Sequence, residues 1–151
     1  MQIKKIVIAS DHGGFLLKEA IKQYLHEKGY MVTDYGPRQE GEAVDYPDKA
    51  DLVARGIFRR EGNLGFLICT SGIGMSIAVN RYPFVRGALV TNAKLAEMAR
   101  AHNNANVLIF GEKYITPEEA IKAVDAFLTT SFEGGRHERR VNKLQEMPYN
   151  I

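Results

Sequence analysis

Apolar residues fall along this chain in two alternating rhythms. Short apolar runs at 6–9, 31–35, 66–68, 85–90 and 107–110 have the length and flanks of buried strands. Between them, apolar residues recur at helical spacing: Leu17, Ala20, Ile21, Tyr24 and Leu25; then Ala50, Val53, Ala54, Ile57 and Phe58; then Ile73, Ile77 and Ala78. Leu95, Met98 and Ala99 mark a fourth helix, and Ala120, Val124, Phe127 and Leu128 a fifth. A last helix from about Gly135 carries Val141 and Leu144. The punctuation agrees. Gly29 ends the first helix, Asp45-Tyr46-Pro47-Asp48 opens the second, and Ser71 or Gly72 caps the third, which stops before Pro83. The fourth helix ends near His102-Asn103-Asn104, and Thr116-Pro117-Glu118-Glu119 forms a capping box with proline in the first helical position. Residues 36–44 are polar and irregular.

Strands alternating with helices through short connections predict an α/β fold: a three-layer α/β/α domain over residues 1–151, with a five-stranded parallel sheet and a C-terminal helix. In such a sheet ligands bind beyond the carboxyl ends of the strands. Asp11, His12, Cys69, Ser71 and, one helix after the fourth strand, His102 are expected at or near that rim.

Composition narrows the partners. The chain has 151 residues, 45% of them hydrophobic and 25% charged, and 20 basic against 18 acidic side chains leave a net charge of +2. That balance argues for no nucleic-acid partner, and no apolar run is long enough for a membrane span or a signal peptide. Basic residues thicken only at Arg136, His137, Arg139, Arg140 and Lys143, with no interleaved aromatics, which fits a small anion. The single cysteine forms no internal disulfide, so the cytoplasm is the default compartment.

The organising stretch is residues 64–76, where an apolar run ends at Cys69 and passes into Thr-Ser-Gly-Ile-Gly. Cys69 stands where a strand's carboxyl end meets a helix's amino end, a junction whose backbone N–H groups and dipole favour an anion or a thiolate. Familiar anion schemes fail on position. There is no Gly-Lys-Ser/Thr, Ile77 occupies the place of a third dinucleotide glycine, and Met75 stands where a cysteine phosphatase needs arginine. The histidines at 12, 26, 102 and 137 lack metal spacing, so neither a metal nor a cofactor is expected. What remains suits proton transfer beside the carbonyl of a sugar phosphate. Cys69 serves as base, N–H groups of residues 70–74 hold an oxyanion, a histidine moves a second proton, and Arg136 and Arg140, four apart, grip the phosphate. Taken singly, Asp11 also reads as a helix cap, His102 as a helix-end surface residue and the arginines as a solvated face.

Five ordered motifs carry a resemblance: Ser-Asp-His-Gly-Gly-Phe at 10–15, Asp-Tyr-Pro at 45–47, Cys-Thr-Ser-Gly-Ile-Gly-Met-Ser-Ile-Ala at 69–78, Arg-Ala-His-Asn-Asn-Ala-Asn at 100–106, and Glu-Gly-Gly-Arg-His-Glu-Arg-Arg-Val at 133–141. Through these the chain resembles the type B ribose-5-phosphate isomerases and the related lactose-pathway isomerases of galactose 6-phosphate. The resemblance implies a Rossmann-like homodimer with shared active sites, its pairing into tetramers left open. It implies interconversion of ribose 5-phosphate and ribulose 5-phosphate, with a six-carbon sugar phosphate such as allose or galactose 6-phosphate as the alternative substrate, and a non-catalytic sugar-phosphate sensor as the alternative class. The position of Cys69 is then the base that carries a proton between C2 and C1 through a cis-enediol. Ser71 assists exchange between the oxygens, and Thr70, Ser71, Gly72, Ile73 and Gly74 form the anion hole. His102 opens the furanose with Asn103 beside it, Asp11 and Tyr46 line the sugar, and His12, Arg136 and Arg140 surround the phosphate. Two positions depart from the family: Thr70 stands where glycine is common, and would be strained if its φ were positive, and Lys113 replaces a phosphate-binding arginine.

Overall fold

The structure, a computed structural model, describes residues 4–148. Its five strands are β1 (Lys5–Ser10), β2 (Met31–Asp34), β3 (Leu64–Cys69), β4 (Gly87–Leu89) and β5 (Val107–Gly111), all parallel and ordered β2-β1-β3-β5-β4. Six helices connect and cover them: α1 (Phe15–Glu27), α2 (Tyr46–Phe58), α3 (Ile73–Val79), α4 (Ala93–Asn103), α5 (Pro117–Thr129) and α6 (Arg136–Glu146). The predicted α/β/α architecture is present, with β4 shorter than the expected 85–90 and α3 ending four residues before Pro83.

The pleat sorts the sheet's side chains into two cores. Ile6, Ile8, Phe66, Ile68, Leu108 and Phe110 point to one face and pack with α1, α4 and α5. Val7, Ala9, Leu67, Cys69, Val107 and Ile109 point to the other and pack with α2 and α3. With both faces covered, β3 and β5 are buried from end to end, which is why they read as continuous apolar runs rather than alternating ones.

Several helices turn a different side to the core than their apolar residues predict. On α3, Met75 and Val79 are buried while Ile73 and Ile77 are 57% and 64% exposed. On α4 the inner face is Ala96, Ala99 and Ala101, and Leu95 and Met98 face outward. Alanines there let α4 approach α5 closely, so the larger residues are left on the far side. Phe58 on α2 and Leu144 on α6 are likewise exposed. Ile73, Ile77, Leu89, Leu95 and Met98 thus form apolar positions flanking the edge strand β4. No helix among the described residues is long and apolar enough to cross a membrane.

The order of the strands reverses between β1 and β3, so their carboxyl ends open a crevice. Ser10 pairs with Ile68, and the Asp11 N–H donates to Ile68 O, which brings Asp11 beside Cys69.

One buried charge braces the β1–β2 side. The Lys18 side chain is wholly buried, and its Nζ donates to Asp34 Oδ2 (2.6 Å) and Glu19 Oε1 (3.0 Å), while Lys22 reaches the same two carboxylates. Burial works against the Asp34 charge, but hydrogen bonds from Lys18, Lys22 and the Gly36 N–H outweigh it and hold the carboxyl below its ordinary range. Because the folded-state pKa is depressed, the stabilisation is complete above about pH 4 and is lost as pH falls through the lower folded value. Asp34→Asn leaves Lys18 short of a partner and is expected to cost about 3 kcal/mol in urea unfolding at neutral pH and fixed protein concentration. That gap between parent and variant should narrow as the measurement is repeated down to about pH 2; a gap independent of pH would contradict the assignment.

Candidate active site

The crevice at the carboxyl ends of β1 and β3 gathers most of the residues singled out from the sequence. Cys69 ends β3, nearly buried, and its Sγ accepts the Gly72 N–H at 3.2 Å. Gly72 sits at φ +81 as the residue before α3, a conformation that side chains resist, and a Cβ there would strike Leu89. Ser71 Oγ accepts the Ile73 N–H at 3.2 Å, so the hydroxyl is held at the mouth of the turn. Thr70 is absent from the residues with positive φ, so threonine is accommodated without backbone strain. Its carbonyl accepts the Lys113 N–H at 3.1 Å, which brings Lys113, exposed, to the same rim.

Asp11 does cap, as its alternative reading held: its Oδ1 accepts the Gly13 N–H at 2.9 Å in the short 3-10 turn His12–Gly14. The same turn sets His12 on the surface at the rim. A Cβ on Gly13 would collide with the Thr70 hydroxyl, so the β1 turn and the β3 turn are packed backbone to side chain. Tyr46, the first residue of α2, lies over Gly74, where a Cβ would come within 2.7 Å of its ring.

His102 is not at this rim. A helix that follows a parallel strand runs back to the amino end of the next, and α4 does so over 11 residues, roughly 16 Å. Its end is fixed there: the Asn106 N–H donates to Arg86 O, just before β4, and Asn106 O accepts from Gly65 at the start of β3. Asn104 closes the helix in the left-handed region, its side chain accepting from Arg100 Nη1 (3.0 Å) and its carbonyl from Arg86 Nε (2.7 Å). The sequence expectation that His102 shares the Cys69 rim is therefore corrected by the direction of α4.

What surrounds His102 instead is α6. His102, Asn103, His137 and Arg140 line a cavity of about 360 Å³ between α4 and α6. Arg136 lies one turn before Arg140 on the same exposed helix face. The His102 and His137 rings stack with centroids 4.3 Å apart and planes 9° from parallel. Glu133 Oε2 is 3.6 Å from His102 Nε2, and Glu133 Oε1 is 3.6 Å from His137 Nε2. Burial holds the His137 imidazole below the ordinary histidine range, with the charges of His102 and Arg136 pushing the same way and Glu133 pulling against them. His102, Glu133 and His137 offer donors within 4.8 Å of one another, but in-plane lone pairs on parallel rings run side by side and do not converge on one ion. Sequence reasoning left Glu133 and His137 out of the site; their spacing of four and the intervening Gly-Gly were the available signal.

One chain therefore holds the residues singled out from the sequence in two separate clusters, one with Asp11, His12, Tyr46, Cys69 to Gly74 and Lys113, the other with His102, Asn103, Arg136 and Arg140. Fold and crevice together define a parallel α/β protein with a cysteine at its topological switch point. The chain belongs to the ribose/galactose isomerase family, whose model matches residues 6–144. It is 40% identical over 142 residues to the ribose-5-phosphate isomerase B of Escherichia coli, covering 94% of this chain and 95% of that protein. The structure superposes on ribose 5-phosphate isomerase of Thermotoga maritima with a TM-score of 0.93 at 49% identity, covering 97% of this chain and 100% of that one. It also superposes on ribose-5-phosphate isomerase B of Mycoplasma genitalium with bound ribulose 5-phosphate, with a TM-score of 0.91 at 43% identity and 97% of each chain covered.

The contact between the two turns yields a double-mutant test. Gly13→Ala should lower activity at least about tenfold by displacing Thr70, and adding Thr70→Ala, which removes the colliding hydroxyl, should recover most of it. Additive losses in kcat/KM would mean that the turns are not coupled.

Proposed function

We propose that the chain interconverts ribose 5-phosphate and ribulose 5-phosphate through a cis-enediol, with each active site built from two copies of the chain. The observation that carries the chemistry is Cys69 at the switch point, its sulfur facing the N–H of the turn that follows it. In this reading Cys69 removes the proton from C2 of the open aldose and returns it to C1. The carbonyl oxygen, becoming an enediolate, is met by N–H groups of residues 70–74, and Ser71 passes a proton between O1 and O2. Asp11 and Tyr46 hold the sugar hydroxyls.

Ribose 5-phosphate is mostly a furanose, so a ring-opening step comes first. In this reading His102 takes the C1 hydroxyl proton and, as the imidazolium, delivers it to the ring oxygen as the bond from C1 to that oxygen breaks, with Asn103 on the sugar. Arg136 and Arg140 grip the phosphate with charge-assisted hydrogen bonds, joined by His12 and Lys113 from the other half-site. Side chains move the protons, backbone N–H groups hold the oxyanion, and no metal ion or cofactor enters the scheme.

The two half-sites lie at opposite ends of one sheet, which is the argument for a homodimer. A two-fold axis perpendicular to the strands beside β4 inverts the second copy, so that the Cys69 end of one chain faces the His102 end of the other. Exposed Ile73, Ile77, Leu89, Leu95 and Met98 supply the apolar surface such a contact requires. The same operation yields two complete sites. Sugar phosphates are charged metabolites retained in the cytoplasm, the compartment this reading assigns to the chain.

The test of substrate is kcat/KM across ribose 5-phosphate, allose 6-phosphate and galactose 6-phosphate, with the five-carbon sugar expected to lead. Cys69→Ala should lower turnover about 100-fold or more while the fold is kept; activity within about tenfold of the parent would remove Cys69 as the base. Arg136→Ala or Arg140→Ala should raise KM about tenfold or more and weaken inhibition by inorganic phosphate.

The shared site has its own test. Cys69→Ala and His102→Asn, each inactive, are unfolded together and refolded. Random pairing makes roughly half the dimers mixed, and half of their sites are free of both lesions, so about a quarter of parental activity should return. No recovery, with heterodimers seen by native mass spectrometry, would show that one chain supplies both residues.

A further inference from the structure

Glu133 stands inside the His102 half-site, and the chemistry above leaves it without a task. The chain leaves α5 at Thr129, and the Glu133 N–H donates to Ala101 O at 2.9 Å, which pins this segment to the last turn of α4. Gly134 at φ +70 and Gly135 at φ +56 then reverse the backbone through a region that side chains resist. The His137 N–H donates to Gly134 O, and α6 begins with His137 turned back toward Glu133. The product of this turn is one carboxylate astride two stacked imidazoles, 3.6 Å from the Nε2 of each. Neither separation is yet a hydrogen bond, and a shift of under about 1 Å closes either one.

The two rings differ in what they can do with that carboxylate. His137 is buried, and its Nε2 has no hydrogen-bond partner among the described residues. Its surroundings favour the neutral ring, which makes it a flat wall against the face of His102. The side chain of His102 is 34% exposed and borders the cavity that also holds Arg140. His102 is therefore the ring that a substrate in the cavity can reach. A carboxylate against one imidazole nitrogen decides which nitrogen keeps its proton, fixes the ring's direction, and steadies the imidazolium that forms in mid-reaction.

We propose that Glu133 is a positioning residue for ring opening, its carboxylate orienting the His102 imidazole from one side while the stacked His137 ring confines it from the other. This rests on the reading of His102 as the ring opener. Glu133 neither gains nor loses a proton in the step. It sets the geometry in which His102 accepts one from the C1 hydroxyl.

The experiment separates ring opening from enediol chemistry. Turnover of ribose 5-phosphate reads both, whereas wash-in of solvent deuterium at C1 of ribulose 5-phosphate, followed by NMR, reads only enediol formation on an open chain. Glu133→Gln, at an exposed position and with its shape kept, should lose about tenfold or more in kcat on ribose 5-phosphate with KM within about twofold, and should keep parental wash-in. Glu133→Asp, which retains the charge one methylene short, should recover part of the loss. Cys69→Ala should lose wash-in, and His102→Asn should keep it. Parental kcat in Glu133→Gln overturns the proposal. So does an equal fall in kcat and wash-in, which would mark a structural role for the whole site. If His102→Asn turns over ribose 5-phosphate at the parental rate, the reading of His102 falls and the role of Glu133 falls with it.

Discussion

In a parallel sheet every connecting helix must run backwards, and that constraint governs how this molecule can work. Whatever sits at the start of a helix stands at the carboxyl rim, and whatever sits at its end stands at the opposite rim. Cys69 and Ser71 precede α3 and stay with Asp11 at the switch point. His102 and Asn103 end α4, a helix roughly 16 Å long that carries them to the opposite rim, where α6 joins them. No side-chain rearrangement spans that separation. The dimer in the proposed function follows from it, since a two-fold operation is the economical way to bring opposite ends of one fold together, and it does so twice.

Local packing then fixes each half independently. At the carboxyl rim, Gly13 admits the Thr70 hydroxyl and Gly74 admits the Tyr46 ring, so the turns after β1 and β3 and the start of α2 are one packed unit. At the other rim, Arg86 and Arg100 hold Asn104, and the Gly134-Gly135 turn seats Glu133 and His137 against His102. Both units are built from short contacts near helix and strand ends. Their precision is set by the fold, and in the proposed dimer their relation to one another is set by assembly.

Much of this was legible in the sequence because strands buried on both faces leave unbroken apolar runs, and β1, β3 and β5 stand where those runs are. The Cys69 half-site was legible too, since strand, cysteine and glycine turn are contiguous. Two things were not. Helix faces were misassigned where apolar residues serve a surface other than the core: Ile73 and Ile77 on α3, and Leu95 and Met98 on α4, are apolar and exposed, while Met75 and three alanines face inward. An apolar stripe reports burial against something without saying against what. And His102 was set at the wrong rim, because proximity in sequence to β4 says nothing of position until the direction of α4 is taken into account.

Dividing the site between two chains also divides the recognition of the substrate. In the proposed arrangement Cys69 and Ser71 act at C1 and C2, while Arg136 and Arg140 of the other copy hold the phosphate at the far end of the sugar. The distance between these groups is then set by how α3 and β4 of one chain meet α4 and α6 of the next, and not by any pocket within a single fold. A sixth carbon lengthens the sugar between two fixed ends. Under the proposal, discrimination between five- and six-carbon phosphates lies in the packing of interface residues such as Ile77 and Leu95, which carry none of the chemistry, and substitutions there should alter substrate length preference more readily than changes to the residues that do.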